Sequence, residues 1–320
     1  MKYLKIANLL EIPFITGFCF WQDIIKMEGK PGEIFNKNME NKVLIPDENF
    51  KFAHENAAHL YAVGQFVNVI VKKVHDIDID VINTISDQSH YKVNMPNDNI
   101  YVTVVNICGL KGGSILGQII KNTNINIPFI LIDSQNGNDT INQSLEKIIK
   151  ERNCKEKNCK SMYIKGMSDI KPIYKKTRIL LIPSLVDETF CRVGYEGMMN
   201  EIPTLSTNNG NLKYLLDGYA DFLDDDPYQW SNKINLVYDD ISYLNQMKLR
   251  KKPIVIDDDK LKFVSVIQKY ENNHVKNYLD EKNIGILCPW ADQGLGIQCR
   301  EYYELLEKIG YYISIFSNNS

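Results

Sequence analysis

Two glutamates, Glu188 and Glu196, have seven residues between them and follow an apolar segment that ends at Pro183 and Ser184. Glu188 is expected in a loop just past a strand end, and Glu196 inside the following helix, near its start. Carboxylates accept hydrogen bonds from sugar hydroxyls, and one carboxylate can engage two hydroxyls of a ribose. Taken singly, the structural interpretation is simpler: Glu188 would cap a helix N-terminus and Glu196 would be a solvated helix residue. Their fixed order with the Pro-Ser strand end and a later Asn-Asn-Gly loop instead favours a sugar-binding site.

A regular alternation of short apolar strands and helices begins at residue 101 and must position these carboxylates. The strands are predicted at Tyr101–Val105, Pro128–Ile132, Ser161–Ile164, Ile179–Ile182 and Pro203–Ser206. The helices are predicted at Ser114–Lys121, Gln143–Glu151, Ile170–Lys176, Val193–Asn200 and Leu212–Asp217. Strands that are apolar on both faces are typical of parallel sheets covered by helices on each side, so the pattern predicts an open, doubly wound α/β domain. Its ligand is expected outside the carboxyl ends of the strands, where loops and helix N-termini meet.

The flanking segments are less regular. Before the alternation, Ile12–Phe18 is predicted as a buried strand, and residues 51–75 show helical spacing. After it, Tyr228–Arg250 is predicted as one long amphipathic helix, and residues 251–283 as a polar linker with some helix. Residues 284–317 have the pattern of one strand, a glycine loop, a helix and another strand, a unit that cannot bury both faces of its strands alone.

Composition excludes several classes of protein. The chain has 320 residues and a formal net charge of -3, so it offers no basic field to nucleic acid and no such partner is expected. Its mean hydropathy is -0.27, and no apolar run approaches the about 18 residues that a transmembrane segment needs. The seven cysteines are odd in number and irregularly spaced, which favours a reducing compartment and predicts a cytoplasmic location. The runs Asp224–Asp226 and Asp257–Asp259 are interpreted as solvated loops or helix caps, and no metal site is predicted.

The segment from residue 179 to residue 216 resembles the donor-binding half of the GT-B fold glycosyltransferases, most closely family 4, the glycosyl transferases group 1. The family pattern has a Pro-Ser strand end, the two spaced glutamates, a further strand and a glycine loop. Upstream, Val104–Gly113 resembles the family's first strand and phosphate loop, and Tyr163–Met167 resembles its loop beside the base. The resemblance covers roughly residues 60–250 and implies an α/β fold of GT-B type, with a Rossmann-like, doubly wound parallel sheet as a complete donor domain.

The resemblance implies roles for residues near the diphosphate and the sugar. Lys111 would neutralise the donor diphosphate, and Gly112 and Gly113 would let the backbone approach it. Glu188 would contact hydroxyls of the transferred sugar and stabilise positive charge at its anomeric carbon, and Glu196 would hold the ribose hydroxyls. Glu188 and Lys111 are therefore the implied catalytic residues.

Further donor-binding residues follow from the same resemblance. Gly166 and Met167 would border the base. Asn106 stands where many members carry an arginine five residues before the lysine, so the diphosphate site has one cation fewer. The family's pair of glycines in the last loop is Asn209 and Gly210 here, and asparagine tolerates unusual backbone angles. The backbone of this loop would contact sugar and phosphate at Asn208, Asn209, Gly210, Asn211 and Leu212.

The predicted domains follow from these assignments. Residues 1–75 would be a partial acceptor-type domain, residues 76–250 the nucleotide-sugar donor domain, and residues 251–283 a linker. Residues 284–320 resemble the start of a second GT-B acceptor domain, with Gln293–Gln298 as its glycine loop.

The implied function is glycosyl transfer in carbohydrate biosynthesis. A hexosyl-type transferase would move a sugar from a nucleotide-diphosphate sugar, without a cofactor and with retention of configuration, to a glycan, protein or lipid that the sequence does not identify. One alternative is a catalytically impaired fragment or scaffold, favoured by Asn106, by the missing early acceptor strands and by the lack of a histidine after the first strand. Another is a different GT-B enzyme, such as a phosphorylase or a sugar-nucleotide epimerase, and the glutamate pair argues against both.

Overall fold

The chain forms two compact units. One comprises Met1–Met27, Leu44–Asp87 and Val255–Ser320, and the other comprises Glu28–Val43 and Gln88–Ile254. The computed structural model describes residues 2–18, 24–26, 39–96, 98–134, 140–156, 160–166, 169–254, 257–274, 283–288 and 294–317.

Helices and strands alternate through much of the described chain. The helices are α1 (Lys2–Leu9), α2 (Glu48–Asn56), α3 (Gln65–His75), α4 (Gly113–Asn122), α5 (Thr140–Lys155), α6 (Lys171–Tyr174), α7 (Arg192–Met199), α8 (Leu212–Leu215), α9 (Pro227–Asp239), α10 (Ile241–Lys248), α11 (Asp257–His274) and α12 (Gly294–Lys308). The strands are β1 (Ile15–Phe18), β2 (Ile25–Lys26), β3 (Ile45–Pro46), β4 (His59–Ala62), β5 (Asp80–Val81), β6 (Tyr101–Val105), β7 (Phe129–Asp133), β8 (Met162–Lys165), β9 (Thr177–Ile182), β10 (Thr204–Ser206), β11 (Asp221–Phe222), β12 (Asn283–Cys288) and β13 (Tyr312–Ser317). Short 3-10 helices lie at Met39–Asn41, Gln88–His90 and Gly109–Lys111. None of the helices within the described ranges combines the length and apolar character needed to cross a bilayer.

The unit that contains Gln88–Ile254 is built on a parallel sheet whose described strands run in the order β11-β10-β9-β6-β7-β8. Every neighbouring pair in it is parallel. From β6, the strands β7 and β8 follow in chain order toward one edge of the sheet. From β9, the strands β10 and β11 follow toward the other edge, so the strand order changes direction between β6 and β9. A switch point of this kind opens a crevice outside the carboxyl ends of its two central strands. The predicted open, doubly wound α/β sheet is confirmed.

The core explains why the strand predictions were close. β6 has its predicted bounds, and β7 is displaced by one residue from the predicted strand. On one face of β7, Phe129 and Leu131 pack in a cluster with side chains of α4, α5 and α9. On the other face, Ile130 and Ile132 pack with Ile173. Because both faces are covered, the strand is a continuous apolar run that can be recognised from sequence.

The single long helix predicted over Tyr228–Arg250 is wrong. The structure has two helices there, α9 and α10, which are separated by Asp240 in an extended conformation (φ -89°, ψ 93°). The Asp240 side chain accepts a hydrogen bond from the Tyr243 amide at 3.0 Å and so caps α10. Apolar side chains continue at helical spacing through the break, so periodicity alone did not reveal it.

The other unit contains smaller sheets. β1, β4 and β5 form a parallel sheet, β12 and β13 pair in parallel, and β2 and β3 pair antiparallel. The Phe263 ring of α11 has its centroid 6.1 Å from that of Tyr61 and 4.6 Å from that of Tyr302. The Glu301 carboxylate accepts a hydrogen bond from the Asp87 amide at 3.2 Å. Side chains of α11 and α12 therefore pack with the segment that contains β4 and β5.

This packing bears on the organisation of the chain. Part of the stretch predicted as a linker forms α11, and the last strands belong to the same compact unit as Leu44–Asp87. The assignment of residues 1–75, 251–283 and 284–320 to a partial acceptor domain, a linker and a second acceptor domain stays a prediction.

Candidate active site

Loops after three neighbouring strands, β6, β9 and β10, form the candidate site. The Leu185 amide donates to the Leu110 carbonyl at 2.9 Å and joins the loops after β9 and β6. The Thr207 hydroxyl and the Asn209 side-chain amide both donate to the Ser184 carbonyl, at 2.8 and 2.7 Å. These two bonds join the loops after β10 and β9. Parallel pairing therefore brings together, at the carboxyl edge of the sheet, segments that are far apart in the sequence.

Lys111 and Glu188 form a close ion pair in this site. Lys111 Nζ lies 2.6 Å from Glu188 Oε1 and 2.5 Å from Oε2, and the Ser184 hydroxyl donates to Oε1 at 2.7 Å. The side chain of Glu188 is 8% exposed and that of Lys111 is 33% exposed. Burial alone would lower the pKa of Lys111, but the charge of Glu188 and the hydrogen bond to it raise the pKa above its ordinary value. The two residues predicted as catalytic therefore meet, and the lysine is charged at neutral pH.

The turn after β6 requires glycine at two successive positions. Gly112 has a φ of +95°, and a Cβ there would lie 2.3 Å from the Pro183 carbonyl oxygen. A Cβ on Gly113 would lie 2.0 Å from the Ile107 carbonyl oxygen. Gly113 begins α4, so the positive end of that helix dipole lies at this turn. An anionic diphosphate can therefore approach the backbone beside Lys111.

Glu196, in α7, is held by two other side chains. The Tyr174 hydroxyl donates to Glu196 Oε2 at 2.7 Å. Arg192, one turn earlier in the same helix, places Nε 3.4 Å and Nη2 3.5 Å from Glu196 Oε1. Glu196 as a whole is 8% exposed. It is therefore a buried and partnered carboxylate, unlike the solvated helix residue of the simpler interpretation.

The loop after β10 contacts the backbone of Glu188. Gly210 forms an isolated parallel bridge with Glu188, and the Asn211 amide donates to the Glu188 carbonyl at 2.8 Å. Gly210 has a φ of +61°, and a Cβ there would lie 2.4 Å from the Glu188 nitrogen. Asn208 is exposed, whereas Leu212 begins α8 with its side chain fully buried. The structure therefore leaves no exposed surface on Leu212, and its amide donates to the Asn209 carbonyl at 3.3 Å.

Asn106 and Gly166 each follow a strand at the same edge of the sheet. Asn106 follows β6 with a φ of +66°, a left-handed conformation that asparagine tolerates. Gly166 follows β8 with a φ of +62°, and its amide donates to the Asp133 carbonyl at 2.9 Å. β8 is two strands away from β6, so Gly166 lies toward one side of the site. Met167 lies outside the described residues.

Asp187 connects a distant segment to this site. Its carboxylate accepts hydrogen bonds from the amides of Met39, at 3.0 Å, and Gly210. Lys213 Nζ lies 2.7 Å from Glu40 Oε2 in the same region. Burial raises the pKa of Asp187, although the two amides oppose that shift. The 3-10 helix that contains Met39 and Glu40 therefore packs against the loop that carries Glu188.

Sequence reasoning assigned no role to several residues that contact the predicted ones. Arg192 and Asp187 lie inside the glutamate motif, but spacing alone does not distinguish them from their neighbours. The sequence shows Ser184 only as part of a strand end. Tyr174 is 22 positions before Glu196. The only sequence feature that could have drawn attention to Tyr174 is its place as an aromatic residue just before a buried strand. Only the folded chain shows these contacts.

The aspartate runs have structural partners. Asp226 accepts a hydrogen bond from the Tyr228 amide at 3.0 Å and caps α9, and Asp259 accepts one from the Asn83 side chain at 3.0 Å. Across the part of the chain that the structure describes, no group of three or more His, Cys, Asp or Glu residues is placed to hold a metal ion.

Cys191 precedes α7 in a left-handed conformation, with φ 77° and ψ 79°. This region is costly for a residue that has a Cβ. Burial, and then the negative charge of Glu188, raise the pKa of the Cys191 thiol to about 12. The thiol is therefore protonated at neutral pH and is not an effective nucleophile.

We expect the Cys191→Gly variant to be more stable than Cys191→Ala by about 1 kcal/mol. Both variants remove the thiol, but only glycine adopts the left-handed backbone without strain, and its greater flexibility in the unfolded chain offsets part of that gain. Urea denaturation of the two variants measures the difference. Equal stability, or a more stable alanine variant, would show that the strain of this backbone conformation does not exceed the entropic cost of glycine.

The chain is similar to known proteins both in sequence, through a family model, and in structure. The family model for glycosyl transferases group 1 matches residues 90–253, which is 164 of the 320 residues. HepE from Anabaena, solved in complex with UDP-glucose, matches with a TM-score of 0.61 and 17% identity over 85% of this chain and 74% of that chain. Sucrose-phosphate synthase from Thermosynechococcus elongatus matches with a TM-score of 0.54 and 14% identity over 77% of this chain and 64% of that chain. No curated protein matched the chain by sequence.

The solved structures show which fold the chain has, and the family model shows to which family it belongs. The solved structures share only 14–17% sequence identity with this chain, so their similarity shows the architecture alone. The predicted GT-B type fold is confirmed. The family model covers more than half of the chain, including the segments that carry Lys111, Glu188 and Glu196. This chain belongs to the glycosyl transferases group 1 family.

Proposed function

We propose that this protein transfers a hexosyl group from a nucleotide-diphosphate sugar to an acceptor, with retention of the anomeric configuration. The observation that carries the proposal is the Lys111–Glu188 pair, which lies beside the glycine turn of α4 at the carboxyl edge of the sheet. The binding of UDP-glucose by HepE, which shares the fold, supports a nucleotide sugar as the donor.

The ion pair suggests how the donor would enter. Glu188 neutralises the Lys111 charge. A donor diphosphate would draw the Lys111 ammonium to its oxygens, because a phosphate is a strong acceptor for this point charge. Glu188 would then keep its bond from Ser184 and present its other acceptor positions to the sugar. Donor binding would thus convert an internal ion pair into two contacts with the ligand.

Lys111 and Glu188 would also stabilise the charges that develop during the chemical step. The bond between the anomeric carbon and the diphosphate oxygen breaks, and its electron pair leaves with the diphosphate, whose charge Lys111 stabilises. Glu188 stabilises the positive charge that develops at the anomeric carbon. The acceptor oxygen then bonds to that carbon on the same face, and its proton passes to the departing diphosphate oxygen. The proposal includes neither a cofactor nor a metal ion.

Calorimetric titration with UDP-, GDP- and ADP-sugars tests the proposal. We expect one of them to bind, and Glu188→Gln to lose sugar transfer while Glu151→Gln, a substitution at an exposed residue of α5, retains it. NMR of the product would report the configuration at the anomeric carbon. If the folded wild-type protein binds none of the three donors, the proposal is wrong.

A scaffold that binds a donor without turnover is the second candidate. It is favoured by Asn106, which supplies no charge at the position where many family members have an arginine. Binding of a donor with neither transfer nor hydrolysis, across a panel of glycan, protein and lipid acceptors, would support this candidate over the enzyme.

The domain assignment and the location are proposals too. The family match over 90–253 and the compact unit that contains Gln88–Ile254 support a donor domain close to the predicted residues 76–250. The odd number of cysteines supports a reducing compartment, and we propose the cytoplasm.

A further inference from the structure

Asp187, the residue just before Glu188, joins three segments of the chain. Asp187 is buried, with 5% of its surface exposed. Its carboxylate accepts hydrogen bonds from the amide of Met39, at 3.0 Å, and from the amide of Gly210. Met39 begins the 3-10 helix Met39–Asn41, and Gly210 lies in the loop after β10. One carboxylate therefore holds a segment 148 positions away, and the neighbouring loop, against the loop after β9.

The loop after β10 also contacts the backbone that follows Asp187. The Asn211 amide donates to the Glu188 carbonyl at 2.8 Å, and the Asn211 side chain donates to the Phe190 carbonyl at 3.4 Å. Gly210 forms a parallel bridge with Glu188. The bond from the Gly210 amide to the Asp187 carboxylate adds a contact on the other side of Glu188. Glu188 thus lies on a stretch of backbone that is held both before and after it.

A second contact attaches the 3-10 helix to the same region. Lys213 Nζ, in α8, lies 2.7 Å from Glu40 Oε2, and the two side chains are 32% and 36% exposed. Water therefore screens this ion pair. The bond from the Met39 amide, by contrast, joins a buried residue to a buried carboxylate, where a charged acceptor strengthens it. Asp187 is thus the main attachment of the 3-10 helix to the site.

The surroundings of Asp187 explain why a carboxylate is needed there. Burial raises the pKa of Asp187, and the negative charge of Glu40 adds to that effect. The amides of Met39 and Gly210 and the ammonium group of Lys213 act in the opposite direction, because they stabilise the ionised form. An ionised carboxylate has acceptor positions on two oxygens, whereas asparagine has no charge and a single acceptor oxygen. Asparagine would therefore hold the two amides less firmly.

We infer that Asp187 is a positioning residue, which keeps Glu188 in place beside the sugar by holding the 3-10 helix Met39–Asn41 and the loop after β10 against the loop after β9. The inference rests on the proposed function, because it takes Glu188 as the group that acts on the sugar of a donor. The diphosphate would bind at Lys111 and the glycine turn, which belong to the loop after β6. Loss of the Asp187 carboxylate should therefore impair the chemical step and spare the binding of the diphosphate.

Asp187→Asn tests this role because it keeps the size of the side chain and removes its charge. The probes are whichever of UDP, GDP and ADP binds best to wild type, and its sugar donor, with dissociation constants measured by calorimetry. Release of the diphosphate from the sugar donor, with water as the acceptor, gives kcat without the natural acceptor. We expect kcat to fall by about 10- to 100-fold, because small displacements of reacting groups have effects of this size. The diphosphate alone should bind as tightly as to wild type, since a displaced Glu188 leaves Lys111 free to meet it.

Asp221→Asn is the matched control. The Asp221 side chain is 15% exposed, and its partners lie in or just after α9 and α10: Lys233, Tyr243 and Arg250. We expect this variant to lose stability in urea denaturation and to keep kcat within about twofold of wild type, because its partners are not shared with Glu188. A purely structural role of Asp187 would make the two variants behave alike.

The Met39 amide provides a second test if Asp187→Asn does not fold. Met39→Pro removes the donor to Asp187 at the first position of the 3-10 helix, where proline is tolerated. Met39→Ala also removes the buried side chain but keeps the amide, so it is the reference for the proline variant. We expect kcat of Met39→Pro to be about tenfold below that of Met39→Ala.

Wild-type kcat in a folded Asp187→Asn variant would overturn the inference and leave the proposed function standing. A parallel loss of kcat and of diphosphate affinity in that variant would do the same, and so would equal kcat values in the two Met39 variants if Asp187→Asn does not fold. A folded wild type that binds no donor, or that binds one and neither transfers nor hydrolyses it, would instead count against the proposed function, and the inference would fall with it.

Discussion

Replacing Lys111 with methionine is expected to lower kcat for sugar transfer by about 100- to 1000-fold, the usual cost of removing one group that stabilises charge in a transition state. Methionine keeps much of the length of the side chain but supplies no charge to the diphosphate. The ammonium group also lies 2.5 Å from a Glu188 oxygen, so its loss leaves a carboxylate that is 8% exposed with the Ser184 hydroxyl still bound. Turnover and donor affinity, measured separately, check the expectation.

The same substitution should also destabilise the protein. Removing one partner of a fully buried ion pair costs about 3–5 kcal/mol. Because Lys111 is 33% exposed, water screens part of the charge, and we expect about 2 kcal/mol in urea denaturation.

A double variant separates stability from catalysis. Lys111→Met combined with Glu188→Leu leaves no unpaired carboxylate, so we expect it to recover much of the stability and none of the activity. If the Lys111→Met variant alone retained near wild-type turnover, the proposed catalytic role of the Lys111–Glu188 ion pair would be contradicted. A double variant that is less stable than Lys111→Met would contradict the electrostatic explanation of its stability.

Gly113→Ala is expected to destabilise the protein by about 3 kcal/mol or more, the upper range for an overpacked site. Its Cβ would lie 2.0 Å from the Ile107 carbonyl oxygen and 3.0 Å from that of Cys108. Both atoms belong to the backbone of the turn, so neither can move without distorting the loop that carries Lys111. Donor binding should therefore fall together with the unfolding free energy.

Gly117→Ala, in the same helix, is the matched control. A Cβ there would meet the end of the Ile148 side chain at 3.0 Å and that of Leu145 at 3.8 Å, and both can adjust. Helix propensity favours alanine over glycine by about 1 kcal/mol, which should offset the closer packing. Urea denaturation and calorimetric donor titration of the two variants give the comparison. Two equally stable variants would show that the turn before α4 can relax and that its glycine is dispensable.

The fold was largely predictable from the sequence where burial leaves a local pattern. β6 has the predicted bounds because Val102 and Val104 pack in one apolar cluster and Tyr101 and Val105 in another, so that apolar residues surround the single polar residue, Thr103. The break at Asp240 was not predictable from periodicity, because apolar spacing continues across it and the cap depends on one side-chain bond. Local signals thus located the elements better than their ends.

The candidate site was predictable in its residue types but not in its contacts. Lys111 and Glu188 were both singled out, yet their ion pair requires that β6 and β9 be neighbours in the sheet. The hydrogen bond from Tyr174 to Glu196 and that from the Met39 amide to Asp187 had no local signal. Tyr174 and Glu196 lie on the helices before and after β9, and Met39 lies in a 3-10 helix outside the sheet, so each contact depends on how these segments pack.

The amino-acid sequence by itself determined the alternation of strands and helices, the glycine turn at Gly112 and Gly113, and the presence of two carboxylates near one strand end. These features depend on volume, polarity and backbone freedom at individual positions. Only the tertiary structure decided which cation neutralises Glu188 and which hydroxyl holds Glu196. The partners are 77 and 22 positions apart. The parallel pairing of β6 with β9 brings the first two within hydrogen-bond distance, and side-chain packing between the helices before and after β9 brings the second two together.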